Sequence, residues 1–206
     1  MKKTINQALV LIGVFLSYFR LPVVGKALRS CRDKIYSGYL RRSFSHMGHS
    51  FVLWHPHSLI GAEFISIGNG CTFESGLQLA ARNIGSHRPR IAIGNNCLIR
   101  HNAHITAIDS IIIGDNLLTG TNVFITDNSH GESNEVMSKI PPVGRPIFSK
   151  GPVKIGNNVW LGNNVCILPG VTIGDGVIVG ANSVVTKSIP NNAIAAGVPA
   201  KIIKQF

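Results

Sequence analysis

The residues of this 206-residue chain that can act on a substrate or grip one are few: eight histidines, four cysteines and twenty Lys or Arg side chains. His130 has the most informative setting. It stands in ITDNSHG, where apolar patterning gives way to a polar stretch rich in Pro and Gly, from Thr126 to Pro152. An imidazole titrates near working pH, so a histidine there suits the removal of a proton from a hydroxyl. A long insertion inside a compact array tends to be functional. A solvated loop histidine is the plainer alternative, and the residues alone leave both open. Asp127 and Glu132 are close enough in sequence to orient the ring, a task that a backbone carbonyl can also fill. The cysteines, Cys31, Cys71, Cys97 and Cys166, form no CxxC, and three lie in apolar repeats. They read as buried free thiols of a reducing compartment.

These residues must be carried by a scaffold, and its period is six. Between Val153 and Lys187, Ile155, Leu161, Ile167, Ile173, Val179 and Val185 recur at intervals of six, and Gly156, Gly162, Gly174 and Gly180 follow four of them. Four residues after each of the first five comes a smaller residue: Val159, Val165, Val171, Val177 and Ser183. Neither a helix nor a plain strand has this period. A chain turning a corner every six residues does, with Gly and Asn at the corners because they tolerate positive φ. Stacked coils then bury one continuous apolar column. The phase runs back through Ile125, Thr119 and Ile113, then Ile105, Ile99 and Ile93, then Leu79, Phe73 and Ile67. It breaks at the basic loop Arg82–Arg90, by two residues around Thr106–Ile112, and at 127–152, which reads as an arm projecting from a corner. About fifteen positions in phase, at three sides per coil, give about five coils. The expected class is all-β, a parallel β-helix with an N-terminal helical extension over 1–45 and the main domain over 46–206.

The run IGNNVWLGNNVCILPGVTIGDGVIVGANSVVTK, followed by IAAGVPAK, resembles the hexapeptide-repeat acyltransferases, and within them the bacterial sugar O-acetyltransferases of the galactoside and maltose type. The resemblance covers roughly Ile91 to Lys204. It implies a left-handed coil, acetyl-CoA as acyl donor, a saccharide acceptor, and a homotrimer with sites between subunits. It implies His130 as general base and the backbone amide of Asn163 as oxyanion donor. It puts Trp160 beside the acetyl and pantetheine channel and Ala181 at a backbone contact to pantetheine. Thr186, Lys187, Lys201 and Lys204 fall where relatives meet the phosphates and adenine. Lys keeps the charge of the Arg often found there but loses its bidentate fork. On the acceptor side the pattern departs: the places of an Asn and an Asp fall near Arg100, Asn102 and Asp109 in RHNAHITAID. With His101, His104 and the Arg82–Arg90 loop, this points to an acceptor with negative charge. If charge reversal of Arg88 and Arg90 left the acceptor KM untouched, that expectation would fall.

Composition bounds the partners. Twenty basic against nine acidic residues give a net charge of +11, which favours anionic ligands or an anionic surface. Aromatics are only 7% and no basic–aromatic cluster is visible, so nucleic acid is not expected. The apolar run Ala8–Phe19 is shorter than the ~20 residues of a spanning helix. No small-x-small cleavage site follows it. Flanked by Lys26, Arg29, Arg32, Lys34, Arg41 and Arg42, it fits either a helix at an anionic leaflet or a cap on the end of the array. A cytosolic donor makes the cytoplasm, with a peripheral place at the inner membrane face, the expected location.

Two other activities compete. The γ-type carbonic anhydrases share this fold and hold zinc with three histidines, which His101, His104 and His130 could imitate. His101 and His104 are three apart on a six-residue turn and are not expected to converge, so no metal is expected. A scaffold that has lost its chemistry is the other, since fold alone never proves activity. His46, His49, His55, His57 and His87 have no ligand spacing, and WHPHS reads as a turn capping the first coil. The reading is an acetyl-CoA-dependent O-acetyltransferase of cell-envelope polysaccharide assembly, including lipopolysaccharide, with a sugar N-acyltransferase as the alternative.

Overall fold

The structure, a computed structural model, describes residues 7, 10, 11, 14, 21–55, 57–84, 88–132 and 134–206. His87 and most of the apolar run near the N-terminus lie outside the described residues. The chain winds into a left-handed prism with three parallel faces. Face 1 stacks the strands His46–Met47, Ile65–Ile67, Arg90–Ile93, Ser110–Ile113, Val153–Ile155 and Thr172–Ile173. Face 2 stacks Val52–Leu53, Thr72–Phe73, Leu98–Ile99, Leu118–Thr119, Trp160–Leu161, Ile178–Val179 and Ala193–Gly197, with Ala200–Gln205 added antiparallel at the end. Face 3 stacks His57–Ile60, Leu77–Ala81, His104–Ala107, Phe124–Thr126, Cys166–Ile167 and Val184–Val185.

These are six coils, one more than the repeat count gives. The additional coil holds Met47, Leu53 and Leu59, which keep the six-residue interval, but the third residues after Met47 and Leu53 are Ser50 and Pro56 where the later coils carry Asn or Gly. Every in-phase residue points inward, and Ile155, Leu161, Ile167, Ile173, Val179 and Val185 are all buried in one continuous core. Thr119 is the polar member of the column. It is buried, and its hydroxyl accepts a hydrogen bond from Arg100 N at 2.9 Å, so the polar atom is satisfied.

Glycine and asparagine share the left-handed corner position, the third after the inward residue: Asn96, Asn102, Asn116, Asn122, Asn158, Asn164 and Asn182, with φ of 55 to 60°, and Gly70, Gly76, Gly170 and Gly176, with φ of 67 to 82°. The glycine immediately after the inward residue does not need positive φ. At Gly162 an added Cβ would meet Ala181 N at 2.6 Å, so this glycine permits close stacking of consecutive corners.

All the interruptions of the repeat leave from the corner between faces 3 and 1. They comprise the loop 82–89, the two extra residues Ile108 and Asp109, and the arm 127–152. The arm is an ordered excursion. Asn128–His130 pairs antiparallel with Ile147–Ser149, and Asn134 caps a short helix, Glu135–Ser138, by accepting from Met137 N. At the other end, helix α1 (Leu21–Leu40) covers the first coil. Its inner stripe is Asp33, Tyr36, Ser37 and Leu40. Ser37 Oγ accepts from the edge-strand amide Leu53 N at 2.9 Å. The helix therefore covers the open end that a solenoid must protect. Its outer face exposes Leu28, Ile35 and Tyr39.

Candidate active site

His130 lies at the tip of the first arm strand, paired with Ile147, and its ring is exposed. It borders an open cavity of about 880 Å³ between the arm and the corner of faces 3 and 1. Phe124, Asn128, Arg145, Lys150, Pro169 and Thr186 also line it. Gly131, with φ of 75°, follows at once. A Cβ there would press on Arg145 Cβ and Cδ at 3.2 Å, so the turn that ends the strand requires glycine. Arg145 Nε in turn donates to Ile140 O at 2.8 Å, bracing the arm.

The root of the arm is fixed by Asp127, which is fully buried. Its Oδ1 accepts from Ile108 N at 3.0 Å and Asn128 Nδ2 at 2.9 Å, and its Oδ2 accepts from Asp109 N at 2.9 Å. The carboxylate therefore ties the arm to the coil below and does not orient the His130 ring, as its sequence position had invited. Glu132 lines the cavity, but its Oε2 accepts from Asn134 Nδ2 at 3.1 Å. Asp109, expected near the acceptor, belongs to this anchoring corner through its backbone.

The second half of the candidate machinery lies on the corner between faces 2 and 3. Here the stacked residues are Ser75, His101, Thr121, Asn163 and Ala181. At the opposite corner, between faces 1 and 2, each equivalent amide is capped by a side-chain oxygen one coil further on. The bonds run His49 N to Asn69, Asn69 N to Asn95, Asn95 N to Asp115, Asp115 N to Asn157, Asn157 N to Asp175 and Asp175 N to Asn191, at 2.6 to 3.0 Å. At the corner of faces 2 and 3 only Thr121 N is capped in this way, by Asn163 Oδ1 at 2.9 Å. Ala181 stands where the cap of Asn163 N would be and has no oxygen to offer. The Asn163 N–H is thereby left without a partner among the described residues. A free backbone donor at an exposed turn is the group that an oxyanion requires.

Trp160, half exposed, projects from face 2 beside this corner. Asn102 sits at a left-handed corner position and donates through Nδ2 to Asn122 Oδ1 at 3.2 Å, the first rung of an amide ladder through Asn164 to Asn182. Arg100 Nε lies 3.4 Å from Glu74 Oε2, and His101 Nε2 lies 3.0 Å from the same oxygen. Glu74 is almost wholly buried and was not singled out in the sequence, where nothing marks it as a counter-ion. His104 projects from face 3 against Phe124, with ring centroids 5.1 Å apart. Burial lowers its pKa, and the charge of Arg82 lowers it further. His101, His104 and His130 thus occupy a corner, a face and the arm. Thr186 shares the cavity of His130, with Lys187 exposed beside it, while Lys201 and Lys204 lie exposed on the closing strand of face 2.

Within one chain, His130 and Asn163 are on different corners, with face 3 between them. Five residues of strand separate Asn163 from Leu168 in the same coil, about 15 Å at the usual rise. An oxyanion donor must reach the carbonyl oxygen and the base must reach the hydroxyl that attacks the same carbonyl carbon, so the two must lie on either side of one small reacting centre.

The prism, the arm and the uncapped corner define a left-handed β-helix enzyme of the acyl-transferring kind. The family model for bacterial transferase hexapeptide (six repeats) matches residues 152–187, and that for the hexapeptide repeat of succinyl-transferase matches 90–127. The chain is 47% identical over 145 residues to the putative lipopolysaccharide biosynthesis O-acetyl transferase WbbJ of Escherichia coli K12, covering 68% of this chain and 72% of that protein. It is 36% identical to the galactoside O-acetyltransferase of the same organism, over 81% of this chain and 76% of the relative. A solved galactoside acetyltransferase in complex with coenzyme A superimposes with a TM-score of 0.57 at 29% identity, covering 82% of this chain and 68% of that one. The chain belongs to the hexapeptide-repeat acetyltransferases.

Proposed function

We propose that this protein transfers the acetyl group of acetyl-CoA to a hydroxyl of a saccharide used in cell-envelope polysaccharide or lipopolysaccharide assembly. The reading is carried by one observation: the Asn163 N–H is left free because Ala181 interrupts the capping seen at the corner between faces 1 and 2. His130 takes the hydroxyl proton as the oxygen attacks the thioester carbonyl carbon. The carbonyl oxygen gains the negative charge and is held by the Asn163 N–H. Collapse breaks the C–S bond, and the imidazolium returns the proton to the departing thiolate. Trp160, Ala181, Thr186, Lys187, Lys201 and Lys204 hold the carrier, the lysines answering its phosphates as point charges.

His130 of one protomer works with Asn163 of a neighbour in a homotrimer. The outward residues of face 2 support a neighbour there: Leu98, Leu118, Trp160, Ile178 and Ile194 stack in register as an apolar stripe, with Leu118 40% and Trp160 51% exposed. Residues 1–45 serve as an extension to the catalytic domain 46–206. The exposed Leu28, Ile35 and Tyr39, flanked by cations, suit a peripheral contact with an anionic leaflet on the cytoplasmic side. No described helix is long and apolar enough to cross a membrane.

The test is an acceptor screen with labelled acetyl-CoA, comparing wild type with His130→Ala. Loss of a general base lowers kcat by about 10²–10⁴-fold. An unchanged kcat in the variant removes His130 from the mechanism.

A further inference from the structure

A second cleft, of about 390 Å³, lies between α1 and the corner of faces 2 and 3 in the first three coils. Lys26, Arg29, Arg32, Trp54, His55 and His101 line it, together with the acidic Asp33. Lys26, Arg29 and Arg32 succeed one another at intervals of three, so they follow one side of the helix. Asp33 is committed: its Oδ1 accepts from Arg32 Nη2 at 2.6 Å and Nε at 2.9 Å. Among the described residues no carboxylate pairs with Lys26 or Arg29. The opposite wall is built. His101 is held between Glu74 Oε2 and Ser75 Oγ, each at 3.0 Å from a ring nitrogen, and Trp54 lies with its ring centroid 6.0 Å from that of His101.

Two uncompensated cations facing a partly exposed indole make a site for a polyanion attached to a ring. The cations would bind phosphoryl oxygens, and the indole would take the face of a ring on the side of the diphosphate away from the oxyanion amide. Placement along the prism sets the geometry. His101 belongs to the third coil and Asn163 to the fifth, on the same corner, so the cleft begins two coils from the oxyanion amide, roughly 10 Å at the usual strand spacing. That is the span of a hexose and the diphosphate joined to it. We propose that the cleft binds the diphosphate of the acceptor, so that the acetylated sugar is a sugar diphosphate and not a free sugar. This rests on the acetyl-transfer reading above.

The experiment is isothermal titration of the full-length protein, with saturating coenzyme A to fill the donor's phosphate site, using inorganic pyrophosphate, uridine diphosphate and farnesyl diphosphate in turn. Pyrophosphate is expected to bind wild type and to bind Lys26→Glu/Arg29→Glu at least tenfold more weakly. Lys26→Met/Arg29→Met should lie between them, and a thermal melt of each variant reports whether it is folded. Tighter binding of uridine diphosphate supports a nucleotide-linked acceptor, and tighter binding of farnesyl diphosphate supports a lipid-linked one. Equal pyrophosphate affinity in folded variants and wild type, or no pyrophosphate binding at all, overturns the proposal. Failure of wild type to bind coenzyme A would instead overturn the acetyl-transfer reading.

Discussion

Two corners of the same prism, built from the same six-residue repeat, have opposite surface chemistry. Between faces 1 and 2, Asn69, Asn95, Asp115, Asn157, Asp175 and Asn191 each cap the amide of the preceding coil. Between faces 2 and 3 the same positions hold Ser75, His101, Thr121, Asn163 and Ala181, and one rung survives. The first corner satisfies its own backbone and has nothing left for a ligand. The second leaves an amide unanswered and, along its length, carries indole, imidazole and carboxylate side chains. The repeat therefore lets fold and function be assigned to separate edges: a capped edge for stability, an open edge for recognition, and a third edge from which every insertion leaves.

The sharpest way to break this comparison is to make the open corner resemble the closed one. Ala181→Asn supplies the missing side-chain oxygen at an exposed position, where Asn163 already shows that the geometry is feasible one coil below. The Asn163 N–H would then be capped. Removing one oxyanion donor lowers kcat by about 10²–10³-fold, and the same is expected here with no fall in Tm. Steady-state kinetics and a thermal melt of the one variant check both halves. An unchanged kcat would show that the free amide has no part in the reaction.

The third corner comes next. Asp127→Asn keeps the shape but cannot accept at both oxygens, so one of the amides of Ile108 and Asp109 loses its acceptor. A hydrogen bond to a charged group contributes about 1.5–3 kcal/mol, and chemical denaturation should show a loss in that range. Because the arm carries His130, kcat should fall more than KM changes. A loss of stability with kcat intact would mean that the arm root does not position the base.

The capped corner should respond in stability alone. Asn157→Ala removes the acceptor of Asp115 N, and water can replace it at this exposed turn. The expected cost is about 1 kcal/mol. That corresponds to a Tm lowered by roughly 2–4 °C for a chain of this size, with kcat and both KM values unchanged.

How much of this was legible in the residues follows from the same contrast. The capped corner is periodic, and period is what sequence displays: the inward column, the Asn turns and the departure of the arm at Thr126 are all visible as phase. The first coil was missed because Met47, Leu53 and Leu59 keep the phase while Ser50 and Pro56 stand where later coils carry the Asn or Gly of the turn. The open corner is defined by an absence, Ala181 in place of a capping residue, and its meaning appears only when coils are stacked. Glu74 and Asp127 likewise carry no motif. Their roles come from amides and cations eighteen or more residues away, at a backbone corner that the sequence does not mark.

The smallest expected effect concerns pH. His57 and His104 both lie on face 3, beside the open corner, and burial lowers the pKa of each. Neighbouring positive charge acts in the same direction, from His55 on the first and Arg82 on the second. A lowered native pKa means that the unfolded chain binds more protons between the native value and 6.5. Stability therefore rises with pH through that window and is lost as pH falls through it. Melts at pH 7.5 and 5.5 should show a lower Tm in acid, beyond what His57→Gln shows over the same interval. Around His57, the opposing groups are Asp33 on α1 and the backbone at Trp54, both raising its pKa, so the residual effect is modest. At the capped corner, Asn157→Ala removes no titratable group and should shift Tm equally at both pH values. If the acid loss were the same in His57→Gln as in wild type, the proton uptake would have to come from elsewhere on the prism.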